Sequence, residues 1–266
     1  MTDSNENLVT YERKGRIGYI TLNRPEKLNA FNDAQVMALK ERLWEFDQDE
    51  EAWVGILSGN GRAFSSGADV RQRQLRTREE LLKLGGPSGR GATHHPIMFE
   101  GHVNWKPIIA AVHGYVFGMG VGITLRCDAV IAAEDTQFEV TEVRRGLYAG
   151  QYWSIMQFRG AGTFADEIFM TGRRFTGREA VEHGVINKAV APGSHIAEAE
   201  EFAESILKNP PLSVRAMVRS RRWHLQQHER AHTLFYEGNK LHLTEDFKES
   251  ALAFAEKRSP RAYVGR

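Results

Sequence analysis

Short apolar runs alternate with amphipathic segments through the first half of the chain. Strands are predicted at residues 9–10, 17–22, 54–57, 108–112 and 129–132, and polar or glycine-containing turns separate them. A helix is predicted from a cap at Asn32 or Asp33 to about Phe46, because apolar residues recur there at helical spacing. This alternation of strands and helices predicts an α/β fold.

Helical spacing dominates from about Gln151 onward. Helices are predicted at residues 179–184, 195–207, 212–227 and 229–243, and residues 71–84 form an earlier, basic helix candidate. The pattern therefore divides the chain into an α/β core, residues 1–195, and a helical C-terminal region, residues 196–266.

Composition and charge narrow the possible classes of protein. The 266 residues contain 35 Lys and Arg against 34 Asp and Glu, a net charge of +1, so nucleic acid and anionic membranes are not expected partners. No apolar run is long enough to span a bilayer, and the acidic N-terminus lacks the features of a secretory signal. With a single cysteine, Cys127, the chain is expected to be soluble and cytoplasmic.

Two glycine-rich turns, residues 59–69 and 114–122, each follow a predicted strand and precede a helix. At such a position backbone N–H groups can point toward an anion or a polarised oxygen, although ordinary loop chemistry explains the glycines as well. Neither turn has the spacing of a dinucleotide-binding or phosphate-binding loop, which argues against both classes of site.

Six short motifs in order resemble the crotonase (enoyl-CoA hydratase/isomerase) superfamily. They lie at residues 23–30, 63–69, 109–122, 127–128, 137–142 and 254–260. The resemblance implies a crotonase fold of repeated ββα units, a helical C-terminal region used for trimerisation, and a homotrimer or homohexamer. It also implies acyl-CoA thioester substrates, with coenzyme A as part of the substrate, no permanently bound cofactor and no metal.

The same resemblance assigns the reacting centre. The backbone amides of Ala68 and Met119 would form an oxyanion hole for the thioester oxygen, and Glu142 would move protons. Hydratases of the family have another glutamate at the position of Gly122, which has no side chain here. A single carboxylate favours isomerisation of an enoyl-CoA.

Several alternatives stay open at this point. They are a lyase or hydrolase acting on a bulky acyl-CoA or cyclic diketone, plain hydration helped by water or by Glu139, and a non-catalytic RNA-binding or scaffold role. Glu139 is a backup catalytic candidate, although a solvated strand end explains it too. Tyr148, Trp153 and Phe158 follow Glu142 where pocket walls are expected, or they pack in the core.

Resemblance to the family also predicts the coenzyme A contacts. The candidates are Lys27, Leu28, Ala30, Ala68, Asp69, Val70, Arg71, Phe254 and Lys257. Arg73 and Arg76 could add positive charge, but a solvated helix face is the simpler interpretation of both.

Histidines and the cysteine offer weaker candidates. His94 and His95 could supply an additional acid or base, although a solvent-exposed loop pair is the favoured interpretation. His224, His228 and His232 share one helical face, and a polar or subunit-facing stripe explains them better than a metal site. Cys127 is expected to be a small buried residue.

Overall fold

The computed structural model describes residues 8–89 and 105–266, with side chains for all of these except 229–239. Nine strands are present in these ranges: β1 (Val9–Lys14), β2 (Ile17–Leu22), β3 (Val54–Gly59), β4 (Ile108–Val112), β5 (Tyr115–Phe117), β6 (Ala129–Ala133), β7 (Gln137–Glu139), β8 (Phe175–Thr176) and β9 (Lys188–Val190). All five predicted strands are confirmed.

Ten α-helices accompany the strands in the described ranges. They are α1 (Asp33–Gln48), α2 (Val70–Arg73), α3 (Arg78–Leu84), α4 (Met119–Arg126), α5 (Gly150–Phe158), α6 (Gly162–Thr171), α7 (Gly177–Glu182), α8 (His195–Leu207), α9 (Pro211–Asn239) and α10 (Glu245–Ala255). Asn32 caps α1 by accepting a hydrogen bond from the backbone N–H of Gln35.

The strands form two sheets. A six-stranded sheet has the order β1-β2-β3-β4-β6-β9, and a three-stranded sheet has the order β5-β7-β8. In the larger sheet β1 is antiparallel to β2, and all the remaining pairs of neighbouring strands are parallel. From β4 to β7 the strands alternate between the two sheets: β4 and β6 belong to the larger sheet, and β5 and β7 belong to the smaller one. This arrangement confirms the mixed α/β fold.

Both faces of the larger sheet are covered, as the apolar sequences of β3, β4 and β6 require. One face carries the main core, which includes Leu39 and Phe46 of α1 and Val121 of α4. The other face packs against Ala199 and Ala203 of α8. The helix that starts at the predicted domain boundary, α8, is therefore packed against the larger sheet.

Two predictions give the wrong number of helices for their segment. The segment 71–84 is two helices, because Thr77 starts α3 with a capping box in which its side chain and that of Glu80 bond reciprocally to backbone N–H groups. The segments 212–227 and 229–243 are mostly one helix, α9, which runs on to Asn239 and packs against α5. No helix within residues 8–89 and 105–266 has the length and hydropathy needed to cross a membrane.

Candidate functional site

The two glycine-rich turns lie side by side, held by backbone pairing. Ser65 bridges Val116 of β5, and Ala68 bridges Phe31. A β-carbon built on Gly67 would lie 2.7 Å from the carbonyl oxygen of Phe117 and 3.6 Å from the backbone nitrogen of Met119. Only glycine allows this approach, and Gly67 also has a φ of +93°. The turns meet next to Ala68 and Met119.

Neighbouring hydrogen bonds fix the direction of the Ala68 amide. Phe31 accepts a bond from the N–H of Asp69 and donates one to the carbonyl of Gly67. Because peptide groups alternate along an extended segment, the N–H of Ala68 faces away from Phe31. Met119 is the first residue of α4, and its N–H has no acceptor within the helix. The two amides predicted as an oxyanion hole therefore lie where the glycine-rich turns meet, and the pairing of the amides stays a prediction.

The side chain of Met119 is packed away. It is buried, and its sulfur lies 3.7 Å from Nη1 of Arg73. The thioether therefore contacts the helix that follows the first glycine-rich turn.

The carboxylate of Glu142 lies over the start of α4. A β-carbon on Gly118 would be 3.3 Å from Oε1 and 3.7 Å from Oε2 of Glu142, and 2.5 Å from the hydroxyl of Thr141. Gly118 also has a φ of +47°. Only a residue without a side chain at position 118 leaves room for the Thr141 hydroxyl and for the Glu142 carboxylate beside it.

Glu142 is partly accessible as a residue, but its Oε2 is buried and has no hydrogen-bond partner among the described residues. Burial raises the pKa of Glu142 to about 7, and the charge of Glu139 acts in the same direction. Its own backbone N–H and Arg145 partly oppose this shift in pKa. A carboxyl group with this pKa exchanges protons readily near neutral pH.

Glu139 is buried between two arginines. Its Oε1 accepts from Nη1 of Arg144 at 3.1 Å, and its Oε2 accepts from Nε of Arg174 at 2.7 Å. The alternative of a solvated strand end is therefore wrong. Both oxygens are engaged in ion pairs, so the structure favours an electrostatic influence on Glu142 over a second proton carrier.

The space beside Gly122 is filled by a residue that the sequence analysis missed. A β-carbon on Gly122 would lie 2.3 Å from Cε1 and 2.6 Å from the hydroxyl oxygen of Tyr152, which is itself 4% exposed. No single motif signalled this contact, because Tyr152 is 30 residues away on α5.

The predicted coenzyme A segments are tied to the first glycine-rich turn. Asn29 is buried with a φ of +52°, and its side-chain amide donates to the carbonyls of Asn60 and Ala63 at 2.9 Å each. Arg24 donates to the carbonyl of Ala30 at 3.0 Å and to Asp69 at 3.2 Å. Residues 24–30 and 60–69 therefore form one connected surface.

The other predicted coenzyme A residues lie around this surface. Lys27 and Arg71 are exposed, while Leu28, Ala30, Ala68, Asp69 and Val70 are partly buried. Helix α10 carries Phe254 and packs near α2 and residues 143–145, and the Arg145 guanidinium lies 3.9 Å from the centre of the Phe254 ring. Lys257 follows, exposed, just after the helix.

Arg73 and Arg76 are not on a solvated helix face, so that interpretation is wrong. Their side chains are 1% and 9% exposed, and both pair with Asp33 at the start of α1. Arg73 also donates to the carbonyls of Pro87 and Ser88, at 3.2 and 2.6 Å. Burial lowers the pKa of Arg73 to about 10, although Asp33 acts in the opposite direction. The cluster fixes α2 against the rest of the site.

The three residues predicted to line the pocket differ in their burial and contacts. Trp153 donates from its indole to Asp166 at 2.7 Å, Phe158 is 37% exposed, and burial raises the pKa of the partly buried Tyr148. Among the described residues no group of three or more potential metal ligands is present. Cys127 is buried, as predicted. His94, His95 and the side chain of His232 lie outside the described residues.

Comparisons of the sequence and of the structure with known proteins find the same family. The sequence profile of the enoyl-CoA hydratase/isomerase family matches residues 12–263. A probable enoyl-CoA hydratase of Rhizobium meliloti is 34% identical, with 93% of this chain and 94% of that protein covered. An (E)-benzylidenesuccinyl-CoA hydratase of Thauera aromatica is 31% identical, covering 95% of this chain and 97% of that protein. The crystal structure of a carnitinyl-CoA hydratase from Mycobacterium avium is 32% identical, with a TM-score of 0.77 and coverage of 98% and 100%.

Proposed function

The chain belongs to the enoyl-CoA hydratase/isomerase family, and from this we propose that it moves protons at the carbon next to the thioester of an acyl-CoA. The observation that carries the proposal is the carboxylate of Glu142 against Gly118, the residue before Met119, with Oε2 buried and unbonded among the described residues. This carboxylate is the proton carrier, and coenzyme A enters only as part of the substrate.

The amides of Ala68 and Met119 receive the thioester oxygen. When Glu142 removes a proton from C2, the electron pair moves onto that oxygen and an enolate forms. Fixed N–H donors stabilise the new negative charge without having to reorient, which is a large source of rate enhancement in such reactions. The outward direction of the Ala68 amide and the position of Met119 at the start of α4 support this assignment.

One carboxylate suffices for isomerisation of an enoyl-CoA. Ionised Glu142 removes a proton from C2 of a 3-enoyl thioester, the enolate forms, and the same proton returns to C4 as the double bond moves to C2. Atoms and charges balance with no second acid. The engagement of both Glu139 oxygens by arginines supports a mechanism with a single carrier.

Hydration is the second candidate reaction. The relatives from Rhizobium meliloti, Thauera aromatica and Mycobacterium avium are all named as hydratases, which favours addition of water over double-bond migration. Both candidates share the enolate and Glu142, so a test of that common step comes first.

Deuterium exchange at C2 tests the common step. In D2O the wild type should incorporate deuterium into butyryl-CoA, whose saturated chain permits exchange alone. Glu142→Gln should slow the exchange about 100- to 10,000-fold, because the amide cannot accept the proton. The wild-type rate should rise with pH through about 7 as Glu142 becomes ionised. Exposed Glu182→Gln serves as the matched control and should exchange as the wild type does. Exchange at the wild-type rate in Glu142→Gln would contradict the assignment.

A further inference from the structure

Glu142 begins a turn, residues 142–147, that folds back onto its own backbone. Within this glutamate turn, Val143–Arg145 is a single short helical turn, and Glu142 is the residue before it. The carbonyl of Glu142 accepts hydrogen bonds from the backbone N–H groups of Arg145 and Leu147, at 2.9 and 2.8 Å. A shift of the glutamate turn would therefore move the backbone of Glu142, and the carboxylate would move with it.

The hydroxyl of Ser250 makes a hydrogen bond from α10 to the glutamate turn. It donates to the carbonyl of Arg144 at 2.9 Å, and Ser250 is 3% exposed. Carbonyls at the end of a helix have no partner within the helix, so this bond satisfies one of them. A serine inside a helix often bonds to a carbonyl of its own preceding turn, whereas the hydroxyl of Ser250 joins positions 106 residues apart.

The glutamate turn also touches the backbone of α10. Gly146 follows the short helical turn with a φ of +66°. A β-carbon built on Gly146 would lie 3.1 Å from the backbone nitrogen and 3.2 Å from the α-carbon of Phe247. Any other residue at position 146 would be strained at this φ and would push the glutamate turn away from α10.

A charge that acts on Glu142 is held by the same helix. Arg145 lies in the glutamate turn and opposes the rise in the pKa of Glu142. Its guanidinium lies 3.9 Å from the centre of the Phe254 ring of α10, at the distance of a cation–π contact. Helix α10 thus contacts both the backbone next to Glu142 and a cation that acts on the carboxyl group.

We propose that Ser250 is a positioning residue for Glu142. Its hydroxyl holds the carbonyl of Arg144, which keeps the glutamate turn against α10 and the carboxylate of Glu142 against Gly118. This inference rests on the proposed function, and it adds a residue that acts through the backbone without touching the reacting atoms. Proton transfer itself remains with Glu142.

Ser250→Ala is the direct test, because it removes the hydroxyl and leaves a good helix former on α10. In D2O the kcat for deuterium exchange into butyryl-CoA should fall about 10- to 100-fold, since a small misplacement of a reacting group costs a factor of this size. KM should stay within about twofold, because the variant changes no residue predicted to contact coenzyme A. Ser205→Ala is the matched control: this exposed hydroxyl on α8 donates to the carbonyl of Phe202 at 2.7 Å, and both constants should be unchanged.

The pH profile of exchange separates positioning from a loss of folded protein. The charged groups that act on Glu142 are Arg145 of the glutamate turn and Glu139 of β7, and Glu139 is paired with Arg144 and Arg174. Burial is the largest cause of the raised pKa of Glu142. A turn released from α10 admits water to the carboxylate, so the midpoint of the profile should move from about 7 to lower pH. A smaller fraction of folded protein would reduce the rate without moving the midpoint.

Gly146→Ala tests the contact from the other side. Its β-carbon would meet the backbone of Phe247, so the turn should move away from α10 while Ser250 keeps its hydroxyl. The variant should lose kcat and shift the midpoint as Ser250→Ala does. Gly15→Ala is the control for backbone strain and should exchange as the wild type does. Gly15 has a φ of +59°, and beyond its chain neighbours no described atom lies within 4 Å of its β-carbon position.

The outcomes distinguish this inference from the proposed function. If the wild type does not exchange deuterium into butyryl-CoA, the proposed function fails and the role of Ser250 fails with it. If the wild type exchanges, Glu142→Gln does not, and Ser250→Ala keeps the wild-type kcat, then the role of Ser250 is wrong while that of Glu142 stands. A reduced kcat with an unchanged midpoint would show a structural role only and would also overturn the proposal. Should Ser250→Ala fail to fold, the same criteria apply to Gly146→Ala.

Discussion

At the scale of single residues, Glu142 is held in a state that costs folding stability. Its carboxyl has a pKa of about 7 in the folded protein, against an ordinary value of 4.5, because burial penalises the charged form. Between these two values a rise in pH ionises the unfolded chain before the folded one, so the free energy of unfolding decreases over that interval. A proton carrier at neutral pH therefore conflicts with maximal stability.

Removal of the charge at position 142 should stabilise the protein at alkaline pH. Relative to the wild type, Glu142→Gln should gain about 3 kcal/mol in the free energy of unfolding between pH 4.5 and pH 8, since each unit of pKa corresponds to about 1.4 kcal/mol. Urea denaturation across this pH range measures the difference. Exposed Glu182→Gln should show no comparable trend, and a flat difference for Glu142→Gln would mean that the carboxylate is solvated in the folded state.

At the scale of elements, the site depends on loops bound to one another more than on helices or strands. Asn29 takes a left-handed conformation, and its side chain joins the segment after β2 to the turn after β3. Its Oδ1 also accepts from the backbone N–H of Arg24 at 2.7 Å. One buried amide thus fixes the position of the turn that carries Ala68.

Loss of this amide should weaken the fold and the site together. Asn29→Ala should lower the free energy of unfolding by about 2–4 kcal/mol, because it leaves buried carbonyls without their hydrogen-bond donor and places alanine at positive φ. Chemical denaturation is the measurement. The neighbouring Asn60→Ala is the control, as its exposed side chain bonds only to Asn23 among the contacts described, and it should cost less than about 0.5 kcal/mol.

At the scale of the whole molecule, the last helix lies next to elements from earlier in the chain. Helix α10 contacts α2 and residues 143–145, and Phe254 packs against Arg145 of the segment that follows Glu142. Helix α9 instead leaves large apolar side chains exposed: Leu212 is 75% exposed, Met217 71% and Trp223 56%. Exposed apolar area of this kind is typical of an interface between subunits.

A charge on this surface should disrupt the homotrimer or homohexamer that the family resemblance implies. Met217→Glu should shift the mass measured by analytical ultracentrifugation from an oligomer to a monomer. Trp44→Glu, on an exposed part of α1, should leave the mass unchanged. A monomeric wild type, or a Met217→Glu variant with the same mass as the wild type, would contradict this use of α9.

Much of the fold follows from local pattern. The strand at 108–112 is a continuous apolar run, and the helix at 195–207 has apolar residues at helical spacing, so both were predicted with correct bounds. The prediction failed at positions where helices start or stop. The basic segment 71–84 breaks at Thr77, whose capping box starts a new helix, and α9 continues past residue 227 because its helical pattern had no stop signal.

The sequence by itself determined the family, the alternation of strands and helices, and the candidates Ala68, Met119 and Glu142, because these depend on motifs and spacing along the chain. Tertiary structure alone decided the raised pKa of Glu142, the ion pairs of Glu139, the burial of Arg73 and the contact of Tyr152 with Gly122. Each of these depends on distances between residues far apart in sequence and on exclusion of water, and neither quantity is encoded in a local pattern.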